Sequence, residues 1–150
     1  MSSPAPVAQE CVEGYLFVRD PRRLLVLRRP PSRGSIWVPV SGKVDPGDVD
    51  LAHALRRELV EETGFDRFAS LLDLDWSVTF DGPDGRTWRL HAYGVELERP
   101  AAPKLSAEHE AFEWLPFDAA RARLHYEDNR AAIDRLRERL GPTGPGGESV

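Results

Sequence analysis

Cysteine and lysine are nearly absent from this 150-residue chain: Cys11 is its single cysteine, and Lys43 and Lys104 are its only lysines. One cysteine excludes an intramolecular disulfide, so the fold must hold by core packing and not by staples. No run approaches the roughly 20 apolar residues that a membrane-spanning helix needs. Residues Met1 to Gln9 carry neither a basic head nor an apolar stretch of signal-peptide length. These absences lead to the expectation of a cytoplasmic protein with no membrane partner. Excess positive charge is missing too. With 20 Lys and Arg against 25 Asp and Glu, the net charge is −5, which offers no basic surface to a nucleic acid polymer. An anionic substrate must then be met by locally placed cations or by metal. No Walker loop, dinucleotide fingerprint or cysteine set up as a nucleophile occurs. The acidic run Asp45, Asp48, Asp50 lacks the glycine and the terminal glutamate of a calcium-binding EF-hand.

What remains is a chain with 41% hydrophobic and 30% charged residues, the composition and length of one globular domain. Residues 1–9 are expected to form a flexible tail, 10–140 a single domain, and 141–150 a disordered Gly/Pro-rich tail. Val12 to Arg19 and Leu24 to Arg29 read as strands around the turn Asp20-Pro21-Arg22-Arg23. The loop Pro30 to Ser35 leads to a short strand at Ile36-Trp37-Val38. Leu51 to Thr63 reads as a helix stopped by Gly64. Leu71 to Phe80 and Thr87 to Glu98 read as longer strands joined by the turn Asp81 to Arg86. A short strand at Phe112 to Leu115 and helices at Phe117 to Leu124 and Asp128 to Leu140 complete the order. Strands interleaved with and followed by helices argue one α/β domain with no repeat.

The helix at 51–63 carries the chemistry. Asp50 is a good N-cap, because its carboxylate can accept from the free amides that open a helix. Leu51, Leu55 and Leu59 fall within a stripe of about 80°. Glu58, Glu61 and Glu62 share an adjoining face of about 100°. Acidic residues at such spacing usually form a solvated face, but these border the apolar stripe instead of opposing it. Carboxylates so close together at a core's edge repel unless a cation sits among them, and a hard divalent ion such as magnesium suits oxygen-only ligands.

The segment Gly42 to Phe65 resembles the Nudix box, G-x5-E-x7-R-E-U-x-E-E-x-G-U, where U is a bulky apolar residue. Arg57, Glu58, Leu59, Glu61, Glu62, Gly64 and Phe65 match its second half without exception, and Gly42 matches its start. The first half departs twice. The first glutamate of the pattern falls on Asp48, and one extra residue lies between Gly42 and Arg57, near Asp48-Val49. Helix phase is unaffected, but whether Asp48 reaches Arg57 stays open.

The resemblance implies a Nudix-type α/β/α sandwich with a mixed β-sheet. It also implies Mg2+, with Mn2+ as a substitute, held by Glu58, Glu61, Glu62 and the carbonyl of Gly42. Arg57 would orient the carboxylates, and Gly42 and Gly64 would let the backbone turn tightly. The reaction would be attack of water on a diphosphate, with Glu61, Glu62 or Glu108 as the base. Glu108 is named because Ser106 to Glu110 is similar to a Glu-His stretch of several members. The partner would be a small nucleotide-like molecule and the protein a monomer or homodimer. Trp37 to Val44 and Phe112 to Leu115 resemble the branch that acts on dATP or dihydroneopterin triphosphate. Dinucleoside polyphosphate hydrolase is the alternative, and a non-catalytic nucleotide-binding module the second alternative.

Substrate contacts are expected from Lys43, beside Gly42, from Arg29 in the arginine cluster, from Trp37 by stacking and from Asn129 by hydrogen bonding to a base. Trp76, Trp88, Tyr93, His125 and Tyr126 are weaker candidates. His53 and His91 have no partner legible in the sequence.

Overall fold

The computed structural model describes residues 6–142; the outer parts of both expected tails, 1–5 and 143–150, lie outside that range. The element order is β1 (Gln9–Val18), β2 (Arg23–Arg28), a 3-10 turn (Pro31–Arg33), β3 (Trp37–Val38), β4 (Val40–Lys43) and α1 (Leu51–Thr63). Then come β5 (Ser70–Asp81), β6 (Thr87–Glu96), β7 (Ala111–Leu115), α2 (Phe117–Arg123) and α3 (Glu127–Leu140). Among the described residues no helix is long and apolar enough to cross a membrane.

The strands form one mixed sheet in the order β3-β2-β1-β6-β5, with β4 added to β1 and β7 to β2. β1 and β6 run parallel from Gln9↔Trp88 to Phe17↔Glu96, and the other pairs are antiparallel. β1 is the hinge of the layout. Its first half pairs with β4 through Cys11 to Gly14, and its far end with β2 at Phe17 and Val18. The sheet therefore opens between β4 and β2, beside the middle of β1.

Both faces of the central strands are buried, which is why they read as near-continuous apolar runs. Val12 and Leu16 of β1, Leu25 and Leu27 of β2, and Val95 of β6 pack against Ala54, Leu55 and Leu59 of α1. The alternate residues Tyr15, Phe17, Leu24 and Val26 pack against Phe117 and Ala120 of α2 and Ala132, Ile133 and Leu136 of α3. This is the expected α/β/α sandwich.

α1 begins where Asp50 accepts the His53 amide at 2.8 Å, and ends at Gly64, whose φ of 76° suits a residue without a side chain. β4 was not foreseen. Ser41-Gly42-Lys43 has little strand preference of its own, and the pairing with β1 supplies the order. Gly42 consequently sits inside a strand and not in a turn. β5 also breaks register between Asp73 and Ser77, with Asp75 at φ 50°, where an unbroken strand was expected.

Candidate active site

Arg57 is the hub of the site. Its guanidinium donates to both oxygens of Asp48, from Nε at 3.1 Å and Nη2 at 2.9 Å, and Nη2 also reaches the carbonyl of Lys43 at 2.9 Å. Nη1 bridges Glu58 Oε1 at 3.0 Å and Glu61 Oε1 at 3.3 Å. The shorter acid does reach the arginine, despite the extra residue. That residue is accommodated at Val49, 84% exposed, between the anchored Asp48 and the N-cap Asp50. Asp48 further accepts from the amide of Asp45 at 2.7 Å and faces His53 Nδ1 at 2.9 Å. The bonds from Arg57, followed by the Asp45 amide, hold its carboxyl far below the usual carboxylate range.

Glu58 lies over Gly42. A Cβ on residue 42 would fall 2.0 Å from the Glu58 carboxyl carbon, so only glycine leaves room for that carboxylate against β4. Close approach, and no special dihedral, is what residue 42 provides. Burial pushes the Glu58 carboxyl up to about 7 even though Arg57 donates to it, and the charges of Glu61 and Glu62 add to the rise.

The loop before β7 completes the cluster. It is tied to the end of α1 by the Lys104 amide on the Thr63 carbonyl at 2.8 Å. That tie sets Ser106, Glu108 and His109 beside Glu62. Ser106 Oγ donates to Glu62 Oε2 at 3.4 Å, and His109 Nδ1 lies 2.9 Å from the same oxygen, though off the line of a hydrogen bond. Burial raises Glu62, but the contacts with His109 and Glu108 outweigh it and leave the carboxyl lowered. Glu108 moves the opposite way, raised first by the hydrogen bond it shares with Glu62 and then by burial. One proton between two carboxyl groups accounts for both directions.

The donors present fit a hard divalent cation. Glu58, Glu61, Glu62 and Glu108 offer only oxygens, with Glu58 raised by burial and Glu108 by the hydrogen bond it shares with Glu62. Among the described residues no three acidic, imidazole or thiol side chains already converge as a closed cage. Arg57 bridges Glu58 and Glu61 instead, with Glu61 the more exposed of the two.

These groups form one wall of a cleft of about 930 Å³. Of the expected substrate contacts, Lys43, Arg29 and Asn129 line it. Trp37 is not among its lining residues. Its ring lies 5.0 Å from the Arg123 guanidinium, and its carbonyl accepts from the His125 amide. The aromatic wall is made by Trp88 and Phe80 on the β5–β6 hairpin, ring centroids 6.1 Å apart, with Lys43 Nζ 5.5 Å from the Trp88 ring. Trp88 packs on Gly82, where a Cβ would meet the indole at 2.2 Å, and donates to Asp84. Both amide ends of Asn129 have internal partners: Oδ1 accepts from the Tyr126 amide, and Nδ2 donates to Tyr15 and Glu13. Glu13 and His109 also line the cleft, and neither was singled out from the sequence. A glutamate inside the apolar run Cys11 to Val18 was the available signal for the first; the second had none beyond its neighbour Glu108. His53 and His91 gain carboxylate partners, Asp48 and Glu10.

Comparison with known proteins agrees with this layout. The family model described as NUDIX domain matches residues 14–136. An octanoyltransferase of Myxococcus xanthus is 34% identical over 116 residues, which is 75% of this chain and 32% of that protein. The asymmetrical bis(5'-nucleosyl)-tetraphosphatase of Rattus norvegicus is 31% identical over 105 residues, 65% of this chain and 67% of its own length. The chain thus spans about a third of the first relative and about two thirds of the second. The structure of the E. coli dihydroneopterin triphosphate pyrophosphohydrolase superposes with a TM-score of 0.75 at 24% identity, covering 87% of this chain and 97% of that one. At that identity the likeness is one of fold.

Proposed function

We propose, from the premise that this chain belongs to the Nudix hydrolase family, that it cleaves a phosphoanhydride bond in a small nucleotide-like substrate. The ion assigned to it is magnesium, with manganese as substitute. One observation carries the reading: a carboxylate cluster organised by a single arginine opens onto a cleft that also holds cations and an aromatic wall. Glu58, Glu61 and Glu62, with the Gly42 carbonyl, are the residues that would hold the ion. When bound, such an ion neutralises charge on the phosphate oxygens and favours ionisation of water.

The chain's own residues do the rest. Arg57 fixes Glu58 and Glu61 in direction, so their oxygens need little rearrangement. Lys43 and Arg29 are placed to meet phosphate, and Trp88 to stack on a flat heterocycle. The oxygen of water bonds to phosphorus as the bridging P–O bond breaks, and the electron pair of that bond leaves with the departing phosphate. The proton lost by water passes to a carboxylate of the Glu61, Glu62 and Glu108 group. Glu62 and Glu108, which share a hydrogen bond at the cleft, lie together in place to take it.

The substrate is assigned as a nucleoside or deoxynucleoside triphosphate or dihydroneopterin triphosphate. A dinucleoside polyphosphate is the second reading, favoured by the 31% identity to the rat tetraphosphatase. A substrate panel with product identification separates them. Release of monophosphate plus pyrophosphate supports the first, and asymmetric cleavage of a dinucleoside tetraphosphate the second.

A further inference from the structure

β1 carries a carboxylate, largely buried at the wall of the cleft, that the reaction does not use. Along the β1 face turned toward α3, the residues run Cys11, Glu13, Tyr15, Phe17. Tyr15 and Phe17 belong to the core, whereas Cys11 and Glu13 emerge into the cleft. Glu13 is only 4% exposed, yet no salt bridge to it forms among the described residues. Its oxygens accept from the Tyr15 hydroxyl and, weakly, from Asn129 Nδ2 at 3.4 Å. Asn129 is itself fixed, because Oδ1 takes the Tyr126 amide and Nδ2 also donates to the Tyr15 oxygen at 3.1 Å. Every bond in this network therefore runs toward Glu13. It is a terminal acceptor whose donors come from below.

An ionised carboxylate offers about four acceptor positions, and the protein fills two. Burying it so incompletely satisfied is costly, and burial accordingly pushes its carboxyl up to about 7. Asp128 raises it further and Arg29 lowers it, and both line the cleft beside it. Tyr126, 45% exposed just before α3, also lines the cleft beside Asn129. The two remaining acceptor positions of Glu13 suit a flat ligand bearing adjacent N–H donors.

Resting on the hydrolase reading above for the site itself, we propose that Glu13 is a specificity-determining residue. It accepts the amidine edge, a ring N–H beside an exocyclic NH2, of a guanine- or pterin-type base. Adenine presents a ring acceptor at the matching place and would set a lone pair against the carboxylate. Two hydrogen bonds to a charged acceptor favour the guanine edge by about tenfold or more for each donor.

The test is equilibrium binding of GMP, IMP and AMP by calorimetry, which needs no turnover and so stays independent of the hydrolase reading. The native protein is expected to bind in the order GMP, then IMP, then AMP, with about a tenfold gap at each step and about a hundredfold gap between the extremes. In E13Q, whose amide would set an NH2 against one of the base's N–H donors, that gap closes while the melting profile remains cooperative. Equal affinities in the native protein, undetectable binding of all three, or a gap that survives in folded E13Q overturns the proposal. Should E13Q fail to fold, the native series decides alone: the stated order supports it and a flat or reversed order overturns it. Hydrolysis of a triphosphate panel, run separately, reports on the hydrolase reading.

Discussion

Replacing Gly42 with alanine probes whether the space over that glycine serves chemistry. The added Cβ would stand 2.0 Å from the Glu58 carboxyl carbon and 2.3 and 2.4 Å from its oxygens. Ordinary contact begins at 3.4 Å, so the carboxyl must retreat by about 1.4 Å, the difference of the two distances. The atoms in the way are the end of a flexible side chain, so the backbone of β4 need not move and the melting temperature should change by only a few degrees. Catalysis has no such slack. A displacement near 1 Å in a positioned group costs on the order of 100-fold, or about 2.7 kcal/mol. Phosphate or pyrophosphate release at saturating magnesium should show kcat down by about two orders of magnitude. Alanine at 14 is the control. Its Cβ would meet Leu55 at 3.0 Å, in the core beneath α1, and should lower stability more than kcat in the folded fraction. A Gly42→Ala variant with native kcat refutes the reasoning, because Glu58 would then be dispensable where it now lies.

Other outcomes follow from the same geometry. Arg57→Lys should lower kcat by about tenfold or more, since an ammonium cannot keep the paired bonds to Asp48 together with those to Glu58 and Glu61; steady-state kinetics check it. Trp88→Ala should raise KM by roughly tenfold with little change in kcat, the value of one stacked base, whereas Trp37→Ala should lower the melting temperature and leave KM unchanged. The pH dependence of stability tests Glu13. Its carboxyl stands at about 7 in the folded chain against a model-peptide value of 4.5, so the folded state holds the extra proton between those values. Metal-free stability should therefore fall as pH rises from about 4.5 to 7, by on the order of 2 kcal/mol, and the slope should flatten in Glu13→Gln; denaturant titrations across that range measure it.

The sandwich and its Glu-rich helix were legible because their signals are local. Apolar runs mark β1 and β2, and the phase of Leu51, Leu55 and Leu59 together with Asp50 and Gly64 marks α1. Boundaries that depend on distant partners were not. β1 starts at Gln9 because Trp88 of β6 lies beside it, and Ser41 to Lys43 are extended because Cys11 to Gly14 pair with them. The same distinction runs through the site. Arg57 to Glu62 sit on one helix, so spacing put the three glutamates on one face and the motif they resemble added Arg57. The Asp48–Arg57 pair depended on where a loop closes, and the Glu62–His109 contact on a loop tied to Thr63 from 41 residues further along the chain, at Lys104. Trp37 and Trp88 were alike as letters. Only strand register sends one beneath Arg123 and the other into the cleft.

The central claim, that this carboxylate cluster hydrolyses a phosphoanhydride with a divalent ion, meets its most direct test in Glu62→Gln. Product release is measured against the native protein across nucleotide triphosphates and dinucleoside polyphosphates, with and without magnesium. The account predicts magnesium-dependent turnover of at least one substrate by the native protein, abolished by chelation and lowered by about 1,000-fold or more in a folded variant. No turnover of any substrate by folded, magnesium-loaded native protein, or full activity in Glu62→Gln, contradicts it.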